Sequence, residues 1–567
     1  MELLRKFKAD VVFALLLIVL NIIFSFDYLW HGTKPANFDA IAHITTIAQY
    51  HKSLSDGEFP VGWGDGFANY GLPLGTIAHQ IPAYGGAFLT FLTHDVLLSF
   101  HIMYLIGAVV SAIFFYILLR KFFSSEAAFF ATIIYSLAPY RIINFYMRGA
   151  MPEFFSAVWV PVIMLAIYEL HQNHKRLWPY VLLLVGAVGL ILTHPMMLVI
   201  YAPILFLWFL FFIKLDYKYF IGIGVAGLLA IGITAYYFLP LNLETKYLYH
   251  GITNSHYAPN QTTSIESFIN PTWLYNCTFR NDIFGRCHLI KAGVTETFVL
   301  VVATIITILF LIFRNKPKLK SENKLIFKIW LFALIGGWIA IAFSSVLFEQ
   351  IYMRVRILGN IQYPWRYLSS YLFMPPILLG VMYEWLKEKR WVVYVSLVLV
   401  AFIVFARFPQ LYGKNYTYLP QSYYYFTPLN LHSFMMNTIW SGNTDEYPIK
   451  REKAEIVEGR GVIESKQIKN ASRIYKINAE TNLTVSDYTF YFPGWNVYID
   501  GKLVSIEFQN PNYRGVITFQ VPPGEHTVKV MFEDTKVRLL GKYITVGSVV
   551  ATLLICATYL VIKKRRL

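Results

Sequence analysis

Long apolar runs alternate with shorter polar stretches along most of the chain. An apolar run of about 20 residues is what an α-helix needs to cross the hydrocarbon core of a bilayer. The runs predict about twelve transmembrane helices, at residues 11–29, 96–119, 126–143, 154–170, 178–193, 196–213, 219–240, 293–313, 325–346, 367–386, 391–408 and 541–562. We therefore expect the fold class to be a multi-span α-helical membrane protein.

The composition supports this class and excludes two others. Of the 567 residues, 56% are hydrophobic and only 14% are charged, and the mean hydropathy is +0.48. A soluble protein of this length carries more charge than that. The net charge of +16 lies largely in short clusters between apolar runs, which is the positive-inside pattern of membrane proteins and not a signal for nucleic-acid binding.

The basic clusters predict an orientation. Seven basic segments fall on one side of the twelve spans: the N-terminal RKFK, the C-terminal KKRR and the loops at 120–121, 174–176, 214–218, 314–328 and 387–390. Lys and Arg concentrate on the cytoplasmic side, so we expect both termini in the cytoplasm. The first run has no small-residue cleavage site before Asp27, which predicts an uncleaved span. The long segments 30–95 and 409–540 then lie outside the cytoplasm.

Residues 409–540 are more polar than the rest and show strand-like alternation in TNLTVSDYTFYF, WNVYIDGKLVSIEF, GVITFQV and HTVKVMF. This period predicts a small antiparallel β-domain, and Asp500-Gly501 between two apolar runs predicts a hairpin. The expected domains are a transmembrane domain at 1–408 with a large first outer loop at 30–95, an extracytoplasmic β-rich domain at 409–540, and an anchor span with a basic tail at 541–567.

The first outer loop carries the first candidate site residues. Asn37 is an acceptable N-cap, which would place Asp39 in the first turn of a helix, where the dipole favours an ionised carboxylate. Asp39 and His43 are four residues apart and share a face. The Gly-rich stretch GDGFANYGLPLG that follows is not a phosphate loop, because no Gly-Lys-Ser/Thr comes after it.

Further charged and polar groups lie at the predicted outer ends of later spans, where they cost free energy unless they are paired or functional. They are Arg148 and Glu153 in RGAMPEFF, His194 in LTHP, and Gln362, Trp365 and Arg366 in GNIQYPWRYLSS. Acidic and basic groups beside Arg and aromatic side chains suit a phosphate-bearing lipid substrate, since Arg binds phosphate with a bidentate fork.

Each candidate also has a purely structural interpretation. Three such interpretations stay open: Asp39 is a helix-start charge, Glu153 is the ion-pair partner of Arg148, and His194 is a helix-end residue. The aromatic residues Trp63, Tyr70, Trp273 and Trp365 are for the most part expected to form an interfacial belt.

Metal and disulfide chemistry have weak signals. The Asp39/His43 spacing is metal-like, but a third ligand is not identifiable, so we expect neither a metal nor another cofactor. Cys277 and Cys287 share the outer loop 241–292 and are either a disulfide or two unpaired thiols.

The order of these features resembles the GT-C superfamily of integral membrane glycosyltransferases. More closely, FDAIAHITTIAQYHKSLSDGEFPVGWGDGFANYGLPLG, RGAMPEFFSAVWVPVIML, LTHP, IQYPWRYL and FYFPGWNVYIDGKLV are similar to bacterial YfhO-type membrane proteins. The first loop also resembles a membrane family labelled as related to 6-pyruvoyl-tetrahydropterin synthase, although no residue here supports pterin chemistry.

The resemblance implies transfer of a sugar from a polyprenyl-phosphate-linked donor to a glycan, lipid or protein acceptor of the cell envelope, at the outer face of the inner (cytoplasmic) membrane. It implies that Asp39 is the general base, with Glu153 and His194 as further catalytic-site residues. Arg366 and Arg148 would hold the lipid phosphate, and His43, Gln362 and Trp365 would complete substrate binding.

Two other functions stay open. A non-catalytic protein for envelope polymer assembly would explain the β-domain but not the outer charged groups. A lipid-linked sugar flippase would need polar groups within its spans, whereas here they cluster at the outer ends.

Overall fold

The computed structural model describes residues 2–30, 39–67, 69–249, 262–263, 266–269, 291–313, 321–355, 358, 361, 363–413, 416–427, 437–441, 447 and 452–565. The chain forms two compact units, each assembled from three separate segments. Unit 1 consists of Met1–Phe38, His101–Ala230 and His256–Thr417, and unit 2 of Asp39–Phe100, Ile231–Ser255 and Tyr418–Leu567.

Most of the described chain is helical. Numbered in chain order, the α-helices are α1 (Glu2–Phe24), α2 (Phe26–Trp30), α3 (Ala40–Ser55), α4 (Leu74–Ile77), α5 (Gln80–Thr93), α6 (Val96–Leu119), α7 (Ser125–Ser136), α8 (Pro139–Ile142), α9 (Met151–Ser156), α10 (Trp159–Asn173), α11 (Trp178–Thr193), α12 (Pro195–Phe211), α13 (Tyr217–Ile233), α14 (Ala235–Leu243), α15 (Glu266–Ile269), α16 (Val294–Ile312), α17 (Ser321–Ser344), α18 (Glu349–Arg354), α19 (Leu368–Tyr371), α20 (Met374–Leu386), α21 (Trp391–Arg407), α22 (Gln421–Tyr425) and α23 (Lys536–Arg565).

Eight strands follow near the C-terminus: β1 (Ala454–Glu458), β2 (Gly461–Ile468), β3 (Ser472–Ala479), β4 (Leu483–Phe490), β5 (Trp495–Ile499), β6 (Lys502–Val504), β7 (Val516–Val521) and β8 (Gly524–Phe532). They form an antiparallel three-stranded sheet, in the order β1-β4-β7, and an antiparallel five-stranded sheet, in the order β2-β3-β8-β5-β6. The predicted β-domain is therefore confirmed. So is the hairpin, since Asp500 and Gly501 adopt φ values of 50° and 81° between β5 and β6.

Six described helical segments are long and apolar enough to cross a membrane: Val96–Leu119, Met151–Asn173, Val294–Ile312, Asn323–Ser344, Trp391–Gln410 and Lys536–Lys564. Two bent pairs, around α7/α8 and α13/α14, raise the count to as many as eight. Helices α11 and α12, at 16 and 17 residues, are shorter than the roughly 20 residues of a full span. The predicted span 367–386 is divided between α19 and α20. The total of about twelve transmembrane helices thus stays a prediction.

Unit 1 is a helical bundle with one continuous apolar core. Helix α20 packs against α7, α16 and α17, and α12 packs against α10, α11 and α17. Fully buried aromatic side chains such as Trp208 and Trp330 fill the space between these helices. Their indole N–H groups donate to the Met164 carbonyl and the Thr307 hydroxyl, each at 2.8 Å, so neither buried donor is left unsatisfied.

Unit 2 joins the first loop to the β-domain. Side chains from both sheets form a single core, and the indole of Trp63 from the first loop is buried in it, with its ring centroid 5.2 Å from that of Trp495. Gly71 has a φ of 75°, and a Cβ there would collide with the Trp63 indole. The Gly-rich stretch therefore allows close packing against the two sheets and their shared core, which we call the sandwich.

A buried charge cluster ties the same two parts together. Asp65 of the first loop accepts from Lys453 Nζ at 2.9 Å and from the Arg473 guanidinium of β3. Asp487 of β4 accepts from the Tyr475 hydroxyl at 2.7 Å and lies 3.9 Å from Arg473 Nε. We call Asp65, Lys453, Arg473 and Asp487 the buried quartet; its two positive and two negative charges balance.

Candidate functional site

The strongest candidate site in unit 1 is built by an unusual turn between α8 and α9. Residues Ile143–Arg148 form a π-helix, which is rare and frequently marks functional positions. Gly149 ends it with a φ of 67°, a conformation that glycine adopts without strain. The chain then enters α9 with Pro152 in its first turn. This reversal brings Glu153 back to face Arg148.

Glu153 is the centre of the site. Its carboxylate is 2% exposed, and its Oε2 lies 2.8 Å from Arg148 Nη1 and 3.3 Å from Arg366 Nε. Its Oε1 accepts from three neutral donors. They are the Tyr140 hydroxyl at 2.5 Å, the Asn144 amide at 3.1 Å and the Ser369 hydroxyl at 3.3 Å. With four hydrogen-bond donors and the ion pair to Arg366 around it, this carboxylate is arranged to hold two cations in place.

Arg366 and Trp365 reach the site from a second segment. A 3₁₀ turn, Pro364–Tyr367, carries both side chains. Arg366 Nη1 donates to the Ile361 carbonyl at 3.3 Å, while its Nη2 makes no hydrogen bond with the described residues. The Arg148 guanidinium lies 4.4 Å from the centroid of the Trp365 ring, a cation–π contact. Trp365 is thus a wall of the charged site.

Three charged side chains meet in this group. The guanidiniums of Arg148 and Arg366 both lie against the Glu153 carboxylate, and all three side chains are largely buried. We call this group the Glu153 cluster (Arg148, Glu153, Arg366, with Trp365 stacked on it). Guanidinium forks match the oxygens of phosphate, so two of them side by side suit an anionic ligand.

Sequence reasoning missed the three neutral donors to Glu153: Tyr140, Asn144 and Ser369. A signal existed for two of them, because Tyr140, Asn144 and Arg148 follow one another at intervals of four and so project toward one side of a helical segment. Ser369 could be recognised only from the fold, since its contact with Glu153 joins positions 216 residues apart.

His194 lies in unit 1 between α11 and α12. It has an extended backbone with φ −166° and ψ 96°, its N–H donates to the Leu190 carbonyl at 2.9 Å, and its own carbonyl accepts from Met197 N at 2.9 Å. Its backbone thus closes one helix and opens the next. This geometry agrees with the helix-end interpretation, and a catalytic role for His194 stays a prediction.

Asp39 and His43 lie in unit 2. Asp39 is the N-cap of α3, one position before the first turn in which it was expected, because the helix begins at Ala40. Its carboxylate accepts no capping hydrogen bond from α3. The imidazole of His43 lies with its centroid 6.2 Å from that of His79. Because Asp39 and the Glu153 cluster belong to different units, their convergence stays a prediction.

The interfacial-belt prediction is wrong for Trp63 and Tyr70. Trp63 is fully buried in the sandwich core, and Tyr70 stacks on Phe490 at 4.7 Å, because both pack against strands that lie hundreds of residues later in the chain. Several sequence predictions fall outside the described residues: those on Asn37, Trp273, Cys277, Cys287 and Gln362. Within the described part of the chain, no three His, Cys, Asp or Glu side chains are grouped so that they could hold a metal ion.

Comparison with solved structures finds low similarity to membrane glycosyltransferases. The archaeal oligosaccharyltransferase AglB from Archaeoglobus fulgidus, solved with an inhibitory peptide and a dolichol-phosphate, is 13% identical with a TM-score of 0.41, over 78% of this chain and 61% of that one. The arabinofuranosyltransferase AftD from Mycobacteria is 11% identical with a TM-score of 0.37, over 72% of this chain and 27% of that one.

A second structure of an Archaeoglobus fulgidus oligosaccharyltransferase, in complex with Zn and sulfate, is 13% identical with a TM-score of 0.36, over 72% of this chain and 54% of that one. This chain spans less than two thirds of the length of each of the three. No family model matches the sequence, and no curated protein does. At TM-scores this low a function has to be argued from the chain's own residues.

Proposed function

We propose that this protein is a membrane glycosyltransferase of the GT-C type, which moves a sugar from a polyprenyl-phosphate-linked donor to a cell-envelope acceptor. The observation that carries the proposal is the Glu153 cluster, in which two guanidiniums converge on one buried carboxylate. A sugar phosphate linked to a lipid carries one negative charge on its phosphodiester, and guanidiniums bind phosphate oxygens with bidentate hydrogen bonds.

In the proposed reaction, an acceptor hydroxyl oxygen bonds to the anomeric carbon of the sugar. The bond from that carbon to the phosphate oxygen breaks, and its electron pair leaves with the lipid phosphate. Negative charge therefore grows on the phosphate as the bond breaks. Arg148 and Arg366, held by Glu153, stabilise this charge in a buried site where such interactions are strong.

The acceptor proton needs a base, and we assign that role to Asp39. The N-terminus of a 16-residue helix favours the ionised form of a carboxylate, and a base must be ionised. His43, one turn along the same helix, and His194 are assigned to acceptor or sugar contacts.

The remaining parts of the proposal follow from the charge pattern of the sequence. About twelve spans in the inner membrane place both termini in the cytoplasm and the reaction on the outer face. The acceptor is an envelope glycan, lipid or protein, and the β-domain guides it. Neither a metal nor another cofactor is part of the scheme, and Gln362 is assigned to substrate binding.

The test is a pair of variants with opposite expected effects, assayed on purified protein with a polyprenyl-phosphate sugar. Asp39→Asn should reduce transfer by roughly two to four orders of magnitude and leave donor binding intact, because only the basic oxygen is lost. Arg366→Ala should weaken donor binding about 10- to 150-fold, because a charge-assisted hydrogen-bond partner is removed. Arg366→Lys should recover part of the binding, since it restores the charge without the fork.

Arg390→Ala is the matched control. It makes the same change of charge at an exposed position between α20 and α21, so donor binding and transfer should be unchanged. Donor binding that is equally strong in Arg366→Ala and the control would contradict the phosphate site. Normal donor binding without any transfer in the wild-type protein would favour the alternatives, a flippase or a non-catalytic assembly protein.

A further inference from the structure

A further buried cation in unit 1, Arg141, takes no part in the Glu153 cluster. It lies in α8 and is 4% exposed. Its Nη1 donates to the Tyr135 hydroxyl at 2.9 Å, and its Nη2 donates to the Ala108 carbonyl at 3.0 Å and the Ser111 hydroxyl at 2.7 Å. All these acceptors are neutral, and no carboxylate of the described residues forms an ion pair with it.

Other buried arginines of unit 1 show the usual solution. Arg407, 6% exposed, lies 2.9 Å from the Glu296 carboxylate, and Arg148 lies 2.8 Å from Glu153. Arg141 has instead two aromatic rings, with its guanidinium carbon 4.7 Å from the Tyr135 centroid and 4.5 Å from that of Phe154. Cation–π contacts offset only part of the cost of burying a full charge. A compensating anion is therefore expected.

A small cavity adjoins this side chain. It measures about 20 Å³, and Arg141 lines it together with Asn21, Ser25 and Ser136 and the rings of Phe24 and Phe154. A space of about 10–15 Å³ holds one water molecule, so this one is large enough for a single small ion. The Ser136 hydroxyl accepts from the Asn21 amide at 3.3 Å, which leaves its own proton to donate into the cavity.

We propose that this cavity binds one small monovalent anion, of which chloride is the abundant cellular example. The guanidinium of Arg141 supplies the charge, and the hydroxyls of Ser25 and Ser136 supply hydrogen-bond donors. The anion neutralises the buried cation where α7, α8 and the outer part of α1 meet. This proposal does not depend on the proposed sugar transfer.

The experiment measures thermal unfolding of the purified full chain as chloride replaces gluconate at constant ionic strength. A ligand that binds only the folded protein raises the midpoint with a logarithmic dependence on concentration above its dissociation constant. We expect this rise in the wild-type protein and its loss in Arg141→Gln. Arg407→Gln, which breaks a pair already neutralised by Glu296, should lower the midpoint but keep the chloride response.

Ser136→Ala provides a second variant if Arg141→Gln does not fold. It removes one donor from the cavity and leaves the three hydrogen-bond partners of Arg141 unchanged, so the chloride concentration at half-response should rise several-fold. In crystals grown in bromide, an anomalous peak should lie beside the Arg141 guanidinium. Equal midpoints in chloride and gluconate for the wild type, or the same response in Ser136→Ala, would overturn the proposal.

Discussion

Replacing Asp65 by Asn would remove one charge from the buried quartet while keeping the shape of the side chain. Asp65 accepts from Lys453 Nζ at 2.9 Å, from the Arg473 guanidinium and from the Trp63 indole N–H at 3.2 Å. The amide of Asn can keep the hydrogen bond to Trp63. It cannot pair with two cations, so the quartet would change from neutral to a formal charge of +1.

The size of the effect follows from this imbalance. Breaking a buried ion pair by removing one partner costs about 3–5 kcal/mol, because the other charge is left uncompensated. Burial has already lowered the pKa of Lys453 to about 8. Loss of Asp65 lowers it further, so Lys453 sheds its proton more readily and we expect the lower part of that range. The control is Asp56→Asn. The Asp56 carboxylate lies 3.1 Å from Lys52 Nζ in a partly exposed ion pair, so its loss should lower the stability by only about 0–1 kcal/mol.

Hydrogen exchange of the amides in β3 and β8 is the appropriate assay, since a chain with two units has no single free energy of unfolding. A loss of about 3 kcal/mol means roughly a hundredfold faster exchange through unit 2. The double variant Asp65→Asn/Lys453→Met restores neutrality and should recover part of the protection. Equal protection in Asp65→Asn and Asp56→Asn would refute the coupling of the first loop to the sandwich through charge.

Three further outcomes are expected. Tyr140→Phe removes the 2.5 Å hydrogen bond to Glu153 and should cost about 1.5–3 kcal/mol, measured as faster hydrogen exchange of the amides in α10; unchanged exchange would mean that Glu153 does not need this donor. Because the pKa of Lys453 is about 8 when folded and near 10.4 when unfolded, the folded state binds fewer protons between these values, so protection of unit 2 should rise from pH 8 to pH 10, and Lys453→Met should abolish that rise. In a cysteine-free background on intact cells, an impermeant thiol reagent should label Lys502→Cys and not Lys389→Cys, both exposed positions, and the reverse pattern would invert the topology.

Local signals in the sequence were sufficient where the structure is local. The Asp500-Gly501 hairpin needs only two residues with positive φ between alternating runs, and the pairing of Arg148 with Glu153 needs only five positions of chain. Strand β3 was missed for a physical reason. Its buried positions include Arg473, which disrupts the apolar alternation and is tolerated only because Asp65 and Asp487 neutralise it.

Long-range contacts decided the rest. Trp63 was assigned to an interfacial belt because an exposed loop and a membrane surface are the usual surroundings of such a residue. Its actual place is set by Trp495 and Phe532, more than 400 positions away. Likewise, Arg366 could be singled out as a charged residue at a helix end. That it shares the Glu153 carboxylate with Arg148 depends on how the helices of the bundle pack.

The pairing of Asp65 with Arg473 also has a consequence during synthesis of the protein on the ribosome. These two residues are 408 positions apart, so at about 5–20 residues per second the first loop waits roughly 20–80 s for its partner strand to be synthesised. Throughout that interval the Trp63 indole and the Asp65 carboxylate have no sandwich to enter. The nascent loop is therefore exposed to proteases and to aggregation until the strands of the β-domain have been synthesised.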